Sequence, residues 1–371
     1  MSWELIETDA GLAEVLSEAQ HADSVVIDTE FMRRNTFFPE VALLQISFGG
    51  TAWLIDPLGI TNLNPLIKIL TDPAVVKVLH SGSEDLEVFQ RWLGVLPQPL
   101  FDTQRAAALL DMGFGLGYGA LVEAVCQVTL EKGETRSDWL QRPLTDSQCH
   151  YAAQDVIYLH DVWLALSQKC REQDKYDWVL ADGEDAIAGL ASNGRDYFRR
   201  IKSAWKLDRR QLGALIAICS WREEVARERN KPRGWIIDDK VCLQLAQNLP
   251  ASQAELKAAV EMPAPALRRY GEHLVALLEE NRELPAESLP QRLPAPLSSA
   301  QRDRAKKLKQ RVREIAVTLG TAPEILLGSK DYEVLLREVA GEQPELPRQW
   351  LGWRKEAVLT PLRDHLEKAA S

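Results

Sequence analysis

Strand-forming runs crowd into the first half of this chain and then stop. Three apolar segments follow one another closely, "SVVIDTEF", "VALLQISFG" and "TAWLIDP", and a fourth, "VVKVLH", spans residues 75 to 80. Gly49 and Gly50 separate the second from the third, which is a hairpin signal. Amphipathic helical segments lie around them: "GLAEVLSEAQ", "LNPLIKILTD" and "SEDLEVFQRWLG", the last stopped by Gly94. "FDTQRAAALLDMG" and "GYGALVEAVCQV" read as two more helices. A long helix is predicted over "LTDSQCHYAAQDVIYLHDVWLALSQKC", opened by a capping box with Thr145 as N-cap and Gln148 three residues on. Three antiparallel strands ahead of a helix-strand-helix run predict a mixed sheet flanked by helices.

After about residue 180 the strand pattern does not return. "ADGEDAIAGLASNGRDYF" reads as a connector, and from about residue 207 the pattern is helical throughout. A proline-rich stretch, "LPAESLPQRLPAPLSS", divides this helical region in two. Each part has room for roughly four short helices. The expected organisation is an α/β domain over 1–200, then two all-α domains over 207–290 and 298–371.

Composition narrows the function classes. The longest apolar stretch, "LGALIAIC", is too short to cross a bilayer, and "MSWELIETDA" does not have the pattern of a signal peptide. Five cysteines occur without a C-x-x-C pair, which argues against a zinc ribbon or a disulfide framework and suits a reducing cytoplasm. A cytoplasmic protein with no membrane segment is expected. Net charge is −10 but unevenly spread. Residues 1–200 hold 30 acids against 15 bases, and residues 201–371 hold 24 against 29. An acidic front suits cations and a basic back suits a polyanion, although solvated surface accounts for both equally well.

Candidate chemistry starts at Asp28 and Glu30, two apart at the end of the first long strand run. That spacing puts both side chains on one face, where they repel unless a cation lies between them. Hard divalent ions take such oxygen ligands. A solvated hairpin end explains a single pair as well. Asp85 follows in the first turn of a predicted helix, where an acid also suits the helix dipole. Asp155 stands mid-helix among Ala152, Ala153, Val156, Ile157 and Leu159, with Tyr151 four residues earlier on the same face.

The strings "DTEF", "HSGSEDLEVF" and "YAAQD" resemble, in order and spacing, the three motifs of the DEDD exonuclease superfamily. "VVIDTEFMRRNTFFPEVALLQIS" and "FDTQRAAALL" are similar to the ribonuclease D family within it, and "LDRRQLGALIAICSWREEVARERNKPRGWIIDD" looks like an HRDC domain. The resemblance covers the whole chain, with 298–371 as a more divergent second HRDC domain. It implies an RNase H-like exonuclease fold followed by two all-α HRDC domains. It also implies 3′→5′ hydrolysis with two divalent ions, Mg²⁺ or Mn²⁺, and release of 5′-nucleoside monophosphates. The implied partner is RNA with a free 3′ end, tRNA precursors above all. Carried over, Asp28, Glu30, Asp85 and Asp155 bind the ions; Asp28 bridges both, Glu30 and Asp155 share the one that holds the attacking water, and Asp85 serves the other. Two ions about 3.5–4 Å apart can activate water and stabilise the leaving oxygen.

The superfamily branches by a Tyr four residues, or a His five residues, before the last Asp, and both Tyr151 and His150 are present. At about 100° per residue, Tyr151 lies about 40° from Asp155 and His150 about 140° away. Tyr151 is the expected water-positioning group. Phe31, Arg33 and Arg34 beside the first acids, and Arg229, Lys231 and Arg233 in "ARERNKPRGW", are candidate RNA contacts. Phe31, Phe37 and Phe38 are equally candidates for core. His80 and Gln45 are candidate supports of the site, and "RDRAKKLKQRVR" is a basic helix. A proofreading-type DNA exonuclease and a non-catalytic nucleic-acid-binding module are the competing readings. The full set of acids with Tyr151 counts against the second of these.

Overall fold

The computed structural model describes residues 2–19, 22–131, 133–134, 137–191 and 196–370. The chain divides into two compact units. The first comprises residues 1–32, 39–188 and 297–371; the second comprises 33–38 and 189–296.

The first unit is built on a mixed six-stranded sheet: β1 (Ser2–Ile6), β2 (Ser24–Met32), β3 (Glu40–Ser47), β4 (Thr51–Ile55), β5 (Val76–Leu79) and β6 (Leu100–Asp102). The strand order is β1-β4-β3-β2-β5-β6. β2, β3 and β4 form the expected antiparallel meander, while β5 runs parallel to β2 and β6 parallel to β5. Gly49 and Gly50 turn the β3–β4 hairpin with φ of 112° and 81°, where a side chain would be strained. Two strands depart from the sequence reading. β1 pairs in parallel with β4; its exposed and half-buried residues alternate, but over only five positions. β6 takes the first three residues of "LFDTQRAAALL", so helix α4 begins only at Thr103, where the Asp102 side chain accepts from the amides of Gln104 and Arg105.

The helices of this half are α1 (Asp9–Glu18), α2 (Asn64–Thr71), α3 (Ser83–Trp92), α4 (Thr103–Leu109), α5 (Tyr118–Cys126), α6 (Asp146–Glu172) and α7 (Tyr176–Ala191). The predicted capping box closes α6: Thr145 Oγ1 accepts from the Gln148 amide at 3.1 Å, and Gln148 Oε1 accepts from the Thr145 amide at 3.0 Å. Ala152, Ala153, Val156 and Leu159 of α6 are buried against Val26, Leu43 and Leu54 of the sheet in one core. The same alanines and valine that make Asp155 look out of place are therefore the packing face.

α7 corrects the connector expected over residues 181–198, since the helix runs on to Ala191. "ADG" has turn chemistry, but here each residue has a packing task. Asp182 is buried between Arg105 and Arg354, and a Cβ at Gly183 would meet the Leu100 carbonyl oxygen at 2.2 Å. Residues 192–195 lie outside the described residues.

The last helices, α13 (Ser299–Leu319), α14 (Pro323–Leu326), α15 (Ser329–Val339) and α16 (Thr360–Ala370), belong to the same unit as the sheet. Arg354 donates to both Asp182 oxygens at 2.6 and 2.9 Å, and Trp353 stacks on Trp178 at 4.3 Å. Lys175 Nζ joins the carbonyls of Leu109 and Gly320 at 2.8 Å each. Leu308, Val312, Leu335 and Leu362 share the core of the α/β layers.

The second unit packs α8 (Arg209–Glu228), α9 (Arg233–Ile236), α10 (Asp239–Asn248), α11 (Gln253–Ala259) and α12 (Ala264–Glu283) around Leu215, Ile218, Leu245, Leu274 and Leu278. Its α8 also opens with a capping box, between Asp208 and Gln211.

Candidate active site

β2 ends in the site. Asp28 and Glu30 alternate with buried Thr29, so both carboxylates face α6 while Thr29 faces away. A register shift between Glu30 and Phe31 skips Ala42 of β3, and the pairing resumes at Phe31–Val41 just past the second acid. Asp155 reaches the same point from α6. Carboxylate oxygens of Asp28, Glu30 and Asp155 all lie within 4.8 Å of one another. Among the described residues none of the three makes an ion pair.

That geometry is costly without a cation. Burial, then repulsion from Asp85, Asp155 and Glu30, holds the Asp28 carboxyl well above its ordinary range. Burial, then Asp155 and Asp85, pushes Glu30 up to about 9. Burial pushes Asp155 up to about 7. Three half-buried carboxylates with oxygen-only chemistry, none of them ion-paired to a Lys or Arg among the described residues, are the donor set of a hard divalent cation. The residues present therefore fit such an ion.

Asp85 stands outside this trio. It is buried in the first turn of α3, and Thr29 Oγ1 donates to its Oδ1 at 2.5 Å. Burial pushes it up to about 6, against the lowering effect of the Thr29 bond. Repulsion between Asp28 and Asp85 still ties it electrically to the cluster. Thr29 was not anticipated; nothing in the sequence marks it beyond its place between the two acids.

A cavity of about 480 Å³ opens over the acids, lined by Asp28, Glu30, His80, Tyr118, Tyr151 and Asp155 among others. Tyr151 is half-buried, and burial, then Asp155, Glu30 and Asp28, raises its pKa. His150 is exposed, with Nε2 within 3.0 Å of the Gln154 amide nitrogen. Tyr118 donates to the Gln154 carbonyl at 2.8 Å and joins the wall. It starts α5, and no spacing in the sequence links it to the acids. His80 also lines the cavity, its Nδ1 3.0 Å from Thr103 Oγ1 and its Nε2 buried without a partner. Gln45 lies directly opposite Asp28 across the β2–β3 pair, fully buried, with neither amide atom bonded.

The other predicted contacts fall elsewhere. Phe31 is half-buried beyond the strand irregularity. Arg33 and Arg34 belong to the second unit, as do Arg229, Lys231 and Arg233. Arg233 Nη2 pairs with Glu223 at 2.9 Å, and its guanidinium covers Phe37 at 4.6 Å. Arg229 donates to the Tyr270 hydroxyl. Asn230 Oδ1 accepts from the amides of Phe37 and Phe38, both at 3.0 Å. Lys231 is exposed, 5.7 Å from the Trp235 ring centre.

Residues 3–171 match the 3′-5′ exonuclease family and residues 211–278 match the HRDC domain. Together with the mixed sheet and its carboxylate cluster, this defines a DEDD-type 3′→5′ exonuclease carrying an HRDC domain. Ribonuclease D of Pseudomonas paraeruginosa is 43% identical over 367 residues, covering 98% of this chain and 97% of that protein. Ribonuclease D of Escherichia coli K12 is 35% identical over 384 residues, covering 99% of each. The crystal structure of Escherichia coli RNase D, described as an exoribonuclease involved in structured RNA processing, superposes with a TM-score of 0.90 at 34% identity over 99% of both chains. The chain belongs to the ribonuclease D family. It is a phosphodiester hydrolase of the exoribonuclease class. No helix among the described residues is long and apolar enough to cross a membrane.

Proposed function

We propose that the chain trims the 3′ ends of tRNA precursors and other structured RNAs in the cytoplasm, releasing 5′-nucleoside monophosphates, with two Mg²⁺ or Mn²⁺ ions held by its acids. The observation that carries this is the trio of carboxylates within 4.8 Å, with pKa values raised by burial and mutual repulsion and with no ion pair among the described residues. Asp28, Glu30 and Asp155 would hold the ions, with Asp85 beside them as the fourth acid. When bound, such ions activate water and stabilise the leaving 3′ oxygen of an in-line displacement.

The remaining work falls to the chain's own groups. Thr29 fixes the Asp85 carboxylate by its hydroxyl, so one strand both carries two of the trio and braces the fourth acid. Tyr151 keeps its proton, because its raised pKa leaves the phenol neutral across the working range, and it donates a hydrogen bond that orients the attacking water. Phe31 and Tyr118 flank the terminal nucleotide. The proposal keeps the division at 1–200, 207–290 and 298–371, with the last segment a second, divergent HRDC domain. Of the basic candidates, Lys231, Arg33 and Arg34 are offered to RNA, while Arg229 and Arg233 contribute through the turn they brace.

The test is side-by-side digestion of single-stranded RNA and DNA with a 3′-phosphate-blocked control, with and without chelator. The expected result is stepwise loss of RNA from the 3′ end, abolished by chelation and by Asp28→Asn. Faster digestion of DNA, or cleavage from the 5′ end, refutes the reading.

A further inference from the structure

A second cavity, of about 300 Å³, lies in the first unit away from the acids. Its lining includes Phe114, Lys309, Arg313, Glu324 and Tyr332. Phe114 sits between Gly113 and Gly115, whose φ angles are 122° and 67°, and a Cβ on either glycine would meet nothing within 4 Å. The pair holds the phenyl ring out from the loop, 53% exposed. A lone exposed aromatic is ordinary. This one faces a cavity whose other side is the most basic helix of the chain.

α13 carries seven bases against two acids in a protein of net charge −10. Lys306 pairs with Asp303 and Arg311 with Glu314. Lys309 and Arg313, one turn apart on one face, are exposed and make no ion pair among the described residues. Lys309 Nζ stands 5.5 Å from the Tyr332 ring centre. Glu324 is the one acid of the lining, set against these two bases. Two cations with no ion pair among the described residues, a half-exposed aromatic ring and a volume at the small end of ligand sites match one nucleobase with its flanking phosphates.

The loop that displays Phe114 leads into the catalytic cavity. Tyr118, four residues on, lines that cavity. Four residues span at most about 14 Å. A stacked strand advances about 3.4 Å per nucleotide, so the Cα atoms of Phe114 and Tyr118, one on the lining of each cavity, are separated by no more than about four nucleotide steps.

We propose that the cavity between Phe114 and α13 is a second RNA subsite, which takes a base and its flanking phosphates a few nucleotides upstream of the 3′ end. Phe114 supplies the stacking face, and Lys309 and Arg313 hold the backbone. The proposal rests on the exonuclease reading above, so its test has an arm that does not depend on hydrolysis.

The full chain is titrated with a labelled decaribonucleotide in chelator, by anisotropy, over a range of salt, and then assayed with metal on the decamer and on a diribonucleotide. Phe114→Ala is expected to weaken decamer binding about 5- to 150-fold, the range of one lost base stack. It is expected to leave the binding of polyphosphate, which has no base, unchanged. The Lys309→Ala/Arg313→Ala variant is expected to flatten the slope of log Kd against log salt by about 1.4, or about 0.7 per phosphate contact. Both variants are expected to hydrolyse the diribonucleotide, too short to reach the subsite, at the wild-type rate. Decamer affinity within twofold of wild type in both variants overturns the subsite. Loss of decamer and diribonucleotide hydrolysis in equal proportion also overturns it. A wild-type protein that binds the decamer with these dependences but cuts neither RNA keeps the subsite and overturns the catalytic reading.

Discussion

Replacing Glu30 by Gln in the metal-free protein tests the carboxylate cluster through stability instead of turnover. The folded-state pKa of Glu30 is raised from 4.5 to about 9, first by burial and then by Asp155 and Asp85. An acid raised on folding keeps a proton that the unfolded chain has lost. Its stability is complete below the unfolded pKa, near 4.5, and declines as pH rises toward the folded value. At pH 7 the native state has given up about 3 kcal/mol at 1.36 kcal/mol per pH unit. Gln keeps the shape of the protonated carboxyl without titrating, so the variant escapes this loss. In urea unfolding of chelator-treated protein, Glu30→Gln matches wild type near pH 4 and is more stable at pH 7 by about 3 kcal/mol. That corresponds to a melting temperature higher by on the order of 6–12 °C. Added Mg²⁺ or Mn²⁺ reverses the ranking, because a bound cation stabilises the wild-type cluster and the variant has lost a ligand. A difference between the two proteins that does not change from pH 4 to pH 8, or a variant less stable at pH 7 without metal, refutes the reasoning.

Tyr151→Phe is expected to lower kcat by about 10²–10³-fold with little change in KM, while His150→Ala stays near wild type; equal losses in steady-state assays would put the water-orienting role elsewhere. Asp182→Ala leaves the buried Arg354 unpaired and should cost about 3–5 kcal/mol in denaturant unfolding. The Asp182 pKa is lowered by Arg354 and Arg105 against the raising effect of burial, so this contribution is present above about pH 4 and lost as pH falls through the folded pKa. Gln45→Leu removes two unbonded buried amide atoms and should raise metal-free stability by about 1–2 kcal/mol. A less stable Gln45→Leu would mean that the amide has a partner in solution, a buried water for instance, which a crystal structure would show.

The antiparallel meander was legible because β2, β3 and β4 are apolar runs punctuated by Gly49 and Gly50, and α6 because its capping box is a local signal. β1 and β6 were not, since a five-residue edge strand and a three-residue strand are too short for their pattern to stand out. α7 was hidden for another reason. Asp182 and Gly183 look like a turn until Arg354, 172 residues further on, comes to lie beside them. The acids were readable as a set only through their shared order and spacing. Periodicity alone could not show that Asp85 stands apart from the trio, because that depends on a hydrogen bond from Thr29, 56 residues earlier. Tyr118 and Phe114 carried no pattern; their meaning comes from which cavities they line.

The first unit is discontinuous: residues 297–371 return to it after the second unit has been laid down. During synthesis, all four acids and Tyr151 have left the ribosome well before Arg354 and Gly320, the late partners of Asp182 and Lys175, exist. At about 5–20 residues per second, the interval between the end of α6 and Arg354 lasts roughly 10–40 s. The second unit, except for residues 33–38, is contiguous and completes its core inside that interval. A nascent chain stalled before Arg354 therefore holds all the candidate site residues in an unfinished body, and protease resistance of the acid-bearing segments should arrive only after α14–α16 emerge. Truncating the last helices removes structural partners of the sheet as well as a candidate RNA surface, so lost activity in such a deletion reports first on folding.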